Sequence, residues 1–180
     1  TGAIWSGGLG TFVPGNTSMN ATYLPSASEI SNGGLSLILT STGIGNCLPV
    51  SDMIDIVITP APIVNAGVYQ LTCNSNLNVG LSGSVAGTTN TGAWTTSGTG
   101  TFIPNNTTLN ATYQCSNDDV LSGTIVLTLT STFNGSCLAV SDQMQITILP
   151  PGGANAGNDQ IVCGNNAAIS LNGIVSGGAS

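Results

Sequence analysis

The chain has 180 residues, no Lys, Arg or His, seven acidic residues and a net charge of −7, with 41% of its residues apolar. Without cationic side chains it cannot neutralise phosphates or an anionic bilayer surface, which excludes nucleic-acid binding and electrostatic membrane docking. It also lacks a His base and a Lys nucleophile, while its apolar fraction suffices for packed cores and no apolar run approaches the roughly 20 residues of a membrane span. No secretory leader is legible at its start, so a targeting signal is expected outside this stretch.

Taken in order, the chain repeats itself. The stretch GTFVPGNTSMNATY at 10–23 returns as GTFIPNNTTLNATY at 100–113, with ten of fourteen positions identical and a constant offset of 90. A fixed period marks a tandem array of one structural unit. Each copy opens on a strand carrying Trp5 or Trp94. A Gly-rich turn follows, then the strand 11–13 or 101–103, stopped by Pro14 or Pro104, because proline cannot donate to a ladder. Residues 19–23 and 109–113 alternate as a short strand.

The clearest strand is 35–40, with its counterpart at 125–130. Leu35, Leu37 and Leu39, and likewise Ile125, Leu127 and Leu129, fall on one face at period two. The last strand spans 53–59 or 143–149, with Ile54, Ile56 and Ile58, or Met144, Ile146 and Ile148, facing one way. Short uncharged junctions follow, Pro60-Ala61-Pro62 and Pro150-Pro151-Gly152. They suit stiff linkers between domains. After each a new motif begins, Asn65-Ala66-Gly67 or Asn155-Ala156-Gly157, running to Cys73 or Cys163 and then to a strand with Val79 and Leu81, or Ile169 and Leu171. No window shows sustained 3.6-residue spacing.

The expected fold is therefore all-β: tandem sandwich repeats of about 90 residues, joined by short Pro-rich linkers. The expected domains are 1–60, a partial repeat lacking its first two strands; 61–150, a complete repeat; and 151–180, the first two strands of the next. This phase fits a periodic chain cut arbitrarily, a proteolytic fragment, or a pilin-like subunit whose terminal strands complete a neighbour's sheet.

The opening Asn155-Ala156-Gly157-Asn158-Asp159-Gln160, the strand with Leu81-Ser82-Gly83 or Leu171-Asn172-Gly173, the Trp94 strand and the closing Ser141–Ile148 stretch follow each other as in PKD-type, immunoglobulin-like domains. The whole pattern resembles the tandem repeats of giant surface proteins of Bacteroidota exported by the type IX system. That resemblance implies an extracellular adhesin, stalk or filament and carries over no catalytic residue. It implies no cofactor and no enzyme activity, and it names copies of the chain or adjacent repeats as partners, with surface glycans as a further ligand class.

Cysteine is the first chemistry to place. Cys47 and Cys137 are equivalent, as are Cys73 and Cys163, and no CxxC spacing suggests a metal site. A secreted β-domain favours disulfides. The expected pair is Cys73–Cys137, closing a loop of about 64 residues worth on the order of 4 kcal/mol. By the same rule Cys47 and Cys163 pair with residues of neighbouring repeats. Cys115 has no counterpart and is expected as a free thiol, an intermolecular link, or the true partner of Cys137.

Asp118-Asp119 align with Ser28-Glu29 and read as a solvated turn rather than a calcium loop. Asp52 and Asp142 read as turn residues bonding backbone amides. The N-x-[ST] triplets at Asn16, Asn20, Asn106, Asn110 and Asn134 read as chance plus turn chemistry. Trp5 and Trp94 read as core rather than sugar-stacking platforms, together with Phe12, Phe102, Leu127, Leu129, Ile146 and Ile148. A carbohydrate-binding module is the competing reading, with exposed aromatics as its signature.

Overall fold

The computed structural model describes residues 2–177. Residues 178–180, at the end of the expected segment 151–180, lie outside the described residues, as does residue 1. The chain divides into two compact units, Thr1–Ala61 with Gly135–Cys137, and Pro62–Asn134 with Leu138–Ser180. Among the described residues, all regular structure is β apart from two six-residue helices.

The first unit holds β1 (Gly2–Ser6), β2 (Thr11–Val13), β3 (Thr22–Leu24), α1 (Ala27–Asn32), β4 (Gly34–Thr42) and β5 (Ser51–Val57). β1, β4 and β5 form an antiparallel sheet with β4 in the centre, and β2 and β3 form a separate hairpin. Among the described residues, no strand lies on the edge of β5 away from β4 or on the edge of β3 away from β2.

The second unit contains a complete sandwich. Its elements are β6 (Ile63–Asn65), β7 (Gln70–Cys73), β8 (Asn78–Gly80), β9 (Ser84–Ala86), β10 (Gly92–Thr96), β11 (Thr101–Ile103), β12 (Thr112–Gln114), α2 (Asn117–Ser122), β13 (Thr124–Ser131) and β14 (Ser141–Leu149). One layer is ordered β10–β13–β14–β7. The other holds β11–β12–β8, and the run from β8 into β9 stays beside residues 109–111 through Leu81 N–H to Ala111 (2.8 Å) and Gly83 N–H to Leu109 (3.2 Å). β6 pairs with β9.

The two layers are joined by what period-two alternation places between them. Ile125, Leu127 and Leu129 of β13 and Met144, Ile146 and Ile148 of β14 pack with Trp94, and from the opposite layer come Val79, Leu81, Val85 and Tyr113. Trp94, Tyr113, Ile125, Leu127, Leu129 and Ile146 are fully buried, each worth roughly 1.5–3 kcal/mol of transfer free energy.

Chain direction follows from the register. β7 runs parallel to β14, with Gln70 opposite Ile146 and Cys73 opposite Leu149. The Ala66 N–H donates to Asp142 Oδ2 at 2.8 Å, at the start of β14. Residues 66–73 therefore advance alongside 142–149. The chain enters this sandwich at the pole of the β13–β14 loop and leaves it at the opposite pole.

The helices are the departure from the sequence reading, which found no helical spacing. Six residues make less than two turns, too short for a period to show. Their signals are at the ends instead. Ser26 with Glu29 and Ser116 with Asp119 form capping boxes, and Gly33 (φ 79°) and Gly123 (φ 72°) supply left-handed C-caps.

Beyond the sandwich, β15 (Gly153–Asn155) pairs with β16 (Ile174–Ser176), the counterparts of β6 and β9. Residues 160–163 and 168–170, the counterparts of β7 and β8, form no strand.

Candidate functional site

The most concentrated chemistry in the sandwich is a tyrosine–carboxylate clasp that the sequence reading had placed in a solvated turn. Asp119 is 1% exposed. The capping box holds its backbone at the start of α2, where Asp119 N–H donates to Ser116 Oγ at 3.1 Å. Its carboxylate turns inward and accepts from Tyr113 Oη (2.9 Å), Ser116 N–H (3.0 Å) and Thr99 N–H (2.9 Å). Tyr113 Oη in turn accepts from Gly100 N–H at 3.0 Å. The clasp thus ties β12, α2 and the turn before β11 to one buried charge. Gly98 is required beside it, because a Cβ there would overlap Asp119 Oδ1. Only Asp118 is exposed as expected of a turn.

The first unit repeats the arrangement with the longer acid. Glu29 accepts from Tyr23 Oη (2.8 Å), Leu9 N–H (2.7 Å), Ser26 N–H (2.7 Å) and Ser26 Oγ (2.8 Å), and Gly10 N–H donates to Tyr23 Oη (2.7 Å). The exchange of Asp for Glu accompanies a turn one residue shorter between the Trp and the glycine, five positions from Trp5 to Gly10 against six from Trp94 to Gly100.

Burial raises both carboxyls, but donated hydrogen bonds outweigh it. Ser26 and Leu9 amides hold Glu29 down at about 2, and the Ser116 and Thr99 amides hold Asp119 below the ordinary carboxylate range. Burial, reinforced by the facing carboxylate, pushes Tyr113 up to about 12. A charged acid facing a phenol that stays neutral is a structural hydrogen bond. No base–nucleophile pair arises from it, and among the described residues no three Cys, Asp or Glu side chains group as metal donors.

The tryptophans are anchored through their own loops. Trp94 is fully buried, its Nε1–H donates to Leu109 O at 3.1 Å, and Asn106 Nδ2 donates to Trp94 O at 3.1 Å. Asn16 repeats that bond to Trp5 O at 3.1 Å, while Trp5 is only half-buried. Asn16 and Asn106 thus serve the fold as loop anchors. Phe102 packs against the core between Trp94 and Tyr113, with ring centroids 6.4 and 5.1 Å away. Phe12 meets Tyr23 in a tilted arrangement, with ring centroids 4.8 Å apart, and is partly exposed. Asp142 does bond a backbone amide, but that of Ala66 on a distant strand.

The expected Cys73–Cys137 disulfide is corrected by the register. Cys73 lies beside Leu149 at the exit pole, and Cys137 lies in the β13–β14 loop at the entry pole. From Ser141 to Leu149 the strand runs about 26 Å, and the few residues from Cys137 to Ser141 recover at most about 14 Å. At least about 12 Å remains, beyond the roughly 7 Å Cα limit for a disulfide. Cys115 as the partner of Cys137 fails likewise. Its N–H donates to Leu77 O at 2.8 Å, in the turn that leaves Cys73. Cys115 is buried, and burial followed by the nearby Asp119 charge raises its thiol, which makes it the least reactive. Hydrogen bonds from Ser75 lower Cys73. All five cysteines are free thiols in this structure.

The remaining feature is a set of apolar surfaces without cover. Met144 is 3% exposed, whereas its counterpart Ile54 is 50% exposed. Leu81 and Val85 are 5% and 8% exposed, whereas their counterparts Leu171 and Val175 reach 82% and 83%. Among the described residues, strands cover these positions in the complete sandwich and none does so around β5 and β16.

No family model matches the chain, and no curated protein matches it. Among solved structures it is similar to mouse cadherin-23 repeats EC22–24, at 12% identity and a TM-score of 0.39 over 82% of this chain and 54% of that one. It is also similar to protocadherin gamma B2 extracellular domains 3–6, at 13% identity and 0.39 over 89% of this chain and 44% of that one. A protocadherin gammaB7 EC3–6 cis-dimer structure gives 14% and 0.36 over 89% and 44%. The chain thus spans about half the length of these structures, and likeness at this level carries nothing across about activity or partners.

Proposed function

We propose that the chain is a mechanical repeat of an extracellular stalk or filament, non-catalytic and built to transmit tension through successive β-sandwiches. One observation carries this reading: the parallel pairing of β7 with β14 between opposite poles. Tension drawn through the sandwich pulls β7 towards the entry pole and β14 towards the exit pole. The four facing pairs from Gln70↔Ile146 to Cys73↔Leu149 are then loaded together, in shear, rather than peeled one by one. Asn74 N–H to Leu149 O (3.0 Å) extends the same clamp. The Pro-rich junctions, the repeat period and the resemblance to surface-protein repeats support the setting. No described helix is long and apolar enough to cross a membrane.

The glycan-module reading draws no support from the tryptophans, because Trp94 is buried and Trp5 already bonds Met19 O through its indole N–H (3.4 Å). Pulling the full chain by its two ends in a force spectrometer tests the mechanical reading. A single high-force rupture is expected, lowered strongly by Thr72→Pro, which breaks the β7 ladder. Rupture at low force, or no effect of Thr72→Pro, overturns it.

A further inference from the structure

One position in the complete sandwich is occupied against its own backbone geometry. Phe133, in the loop between β13 and β14, has φ 53°, and among the described residues no other non-glycine has a positive φ. In that left-handed region the Cβ crowds the backbone, so a bulky residue there is strained. Its counterpart 90 positions earlier is Gly43, with φ 65°, so the turn is one that suits glycine. Core packing does not compensate the phenylalanine, because Phe133 is 87% exposed. A strained residue whose ring faces water points to a role at the surface.

The surroundings of Phe133 are firmly held. At the base of its loop Ser131, 2% exposed, donates its N–H to Val140 O (2.9 Å) and accepts Val140 N–H on Oγ (3.0 Å). The adjoining loop 87–91, which leads from β9 into β10, is tied to the residue before the phenylalanine. Thr132 N–H donates to Thr91 O (2.9 Å), and the Thr89 and Thr91 hydroxyls both donate to Thr132 O (2.8 and 3.0 Å). Residues 85–90 line an open recess of about 470 Å³. Within it Asn90 is exposed and Thr88 half-exposed. The exposed ring and a fixed set of neutral amide and hydroxyl groups thus share the entry pole.

We propose that Phe133 with Thr88 and Asn90 forms a binding site for a neutral saccharide. The phenyl ring takes the apolar C–H face of a pyranose. The Asn90 amide, which both donates and accepts, and the Thr88 hydroxyl bond the sugar's hydroxyls. Charge selects the class: a chain with no Lys, Arg or His and a net charge of −7 offers nothing to a uronate or a sialic acid carboxylate and repels both. Area separates a sugar from a protein partner. One phenylalanine covers roughly 150–250 Å², enough for a pyranose face but far below the roughly 800 Å² per partner of a stable protein interface. The strained turn and the threonine ties fix the ring and the polar groups beforehand, so little freedom is lost on binding. The site goes beyond the mechanical reading and does not rest on it.

The test is titration of the isotope-labelled full chain with cellohexaose, mannohexaose and galactohexaose, and with the acidic hexamer of galacturonate, followed by nuclear magnetic resonance. At least one neutral hexamer is expected to give saturable shifts confined to residues 87–91 and 131–134, and the galacturonate hexamer none. Phe133→Gly is expected to weaken that binding about tenfold or more. Its melting temperature stays level or rises, because the turn suits glycine and no core side chain is lost. Asn90→Ala weakens binding with the fold intact. Leu121→Ala, which removes an equally exposed apolar side chain at the opposite pole, leaves binding unchanged. No shift with any neutral hexamer, equal binding of the galacturonate hexamer, or binding that survives Phe133→Gly overturns the proposal. So does a lowered melting temperature of Phe133→Gly, which would make the ring a structural part, or Phe133 shifts that follow chain concentration instead of sugar, which would make it a contact between copies. A chain that binds none of these sugars but still ruptures at high force loses this site alone and leaves the mechanical reading standing.

Discussion

At the scale of single residues, the two acids at 29 and 119 matter most because neutral donors hold their charge. Replacing Asp119 by Ala leaves the Tyr113 hydroxyl and the Thr99 and Ser116 amides without their acceptor. The expected loss is about 3 kcal/mol, read as a lowered midpoint in chemical denaturation. The pH profile carries the same signature. A carboxyl depressed on folding stabilises above its unfolded value, near 4, and that stability is lost as pH falls through the folded value, about 2 for Glu29. Tyr113 is raised on folding, so its contribution is complete below pH 10 and lost as pH rises towards about 12. Thermal melting is therefore expected to be flat from about pH 5 to 8 and to fall on both sides, with the raised Cys115 thiol adding to the alkaline limb. Asp119→Ala flattens the acid limb, and an unchanged acid limb would mean that the clasp does not couple to folding.

At the scale of elements, α2 is short enough to depend on its ends. Ser116→Ala removes the Oγ acceptor of Asp119 N–H and is expected to cost about 1 kcal/mol by denaturant titration; no measurable change would show that the cap is idle. The same ends explain what the sequence disclosed and what it hid. Strands such as 125–130 were legible because one face is apolar at period two, and the β13–β14 register puts Leu127 opposite Met144 on that face. The helices were hidden because their informative residues, Ser116, Asp119 and Gly123, report hydrogen bonds rather than periodicity. The clasp was hidden with them. Its signal was the S-x-x-[DE] box with a Tyr six residues before the acid, present in both copies at Tyr23–Glu29 and Tyr113–Asp119. The cysteine pairing was misread for a different reason. Recurrence in the repeat marks equivalent positions, but it does not say at which pole of a sandwich each position lies.

At the scale of the whole molecule, the sequence period conveyed where strands begin again, and the register of β7 on β14 added what composition could not, the direction in which the chain runs through a domain. A last consequence follows from how the buried carboxylates are held. They are held by amides and hydroxyls, in a chain with no cationic side chain, so there is no ion pair for dissolved salt to screen. Added electrolyte acts only on the mutual repulsion of seven acids. Melting temperature is therefore expected to stay level or rise slightly from dilute buffer to molar sodium chloride, and a marked fall would contradict this account. The fold is indifferent to whether the surrounding water is fresh or brackish.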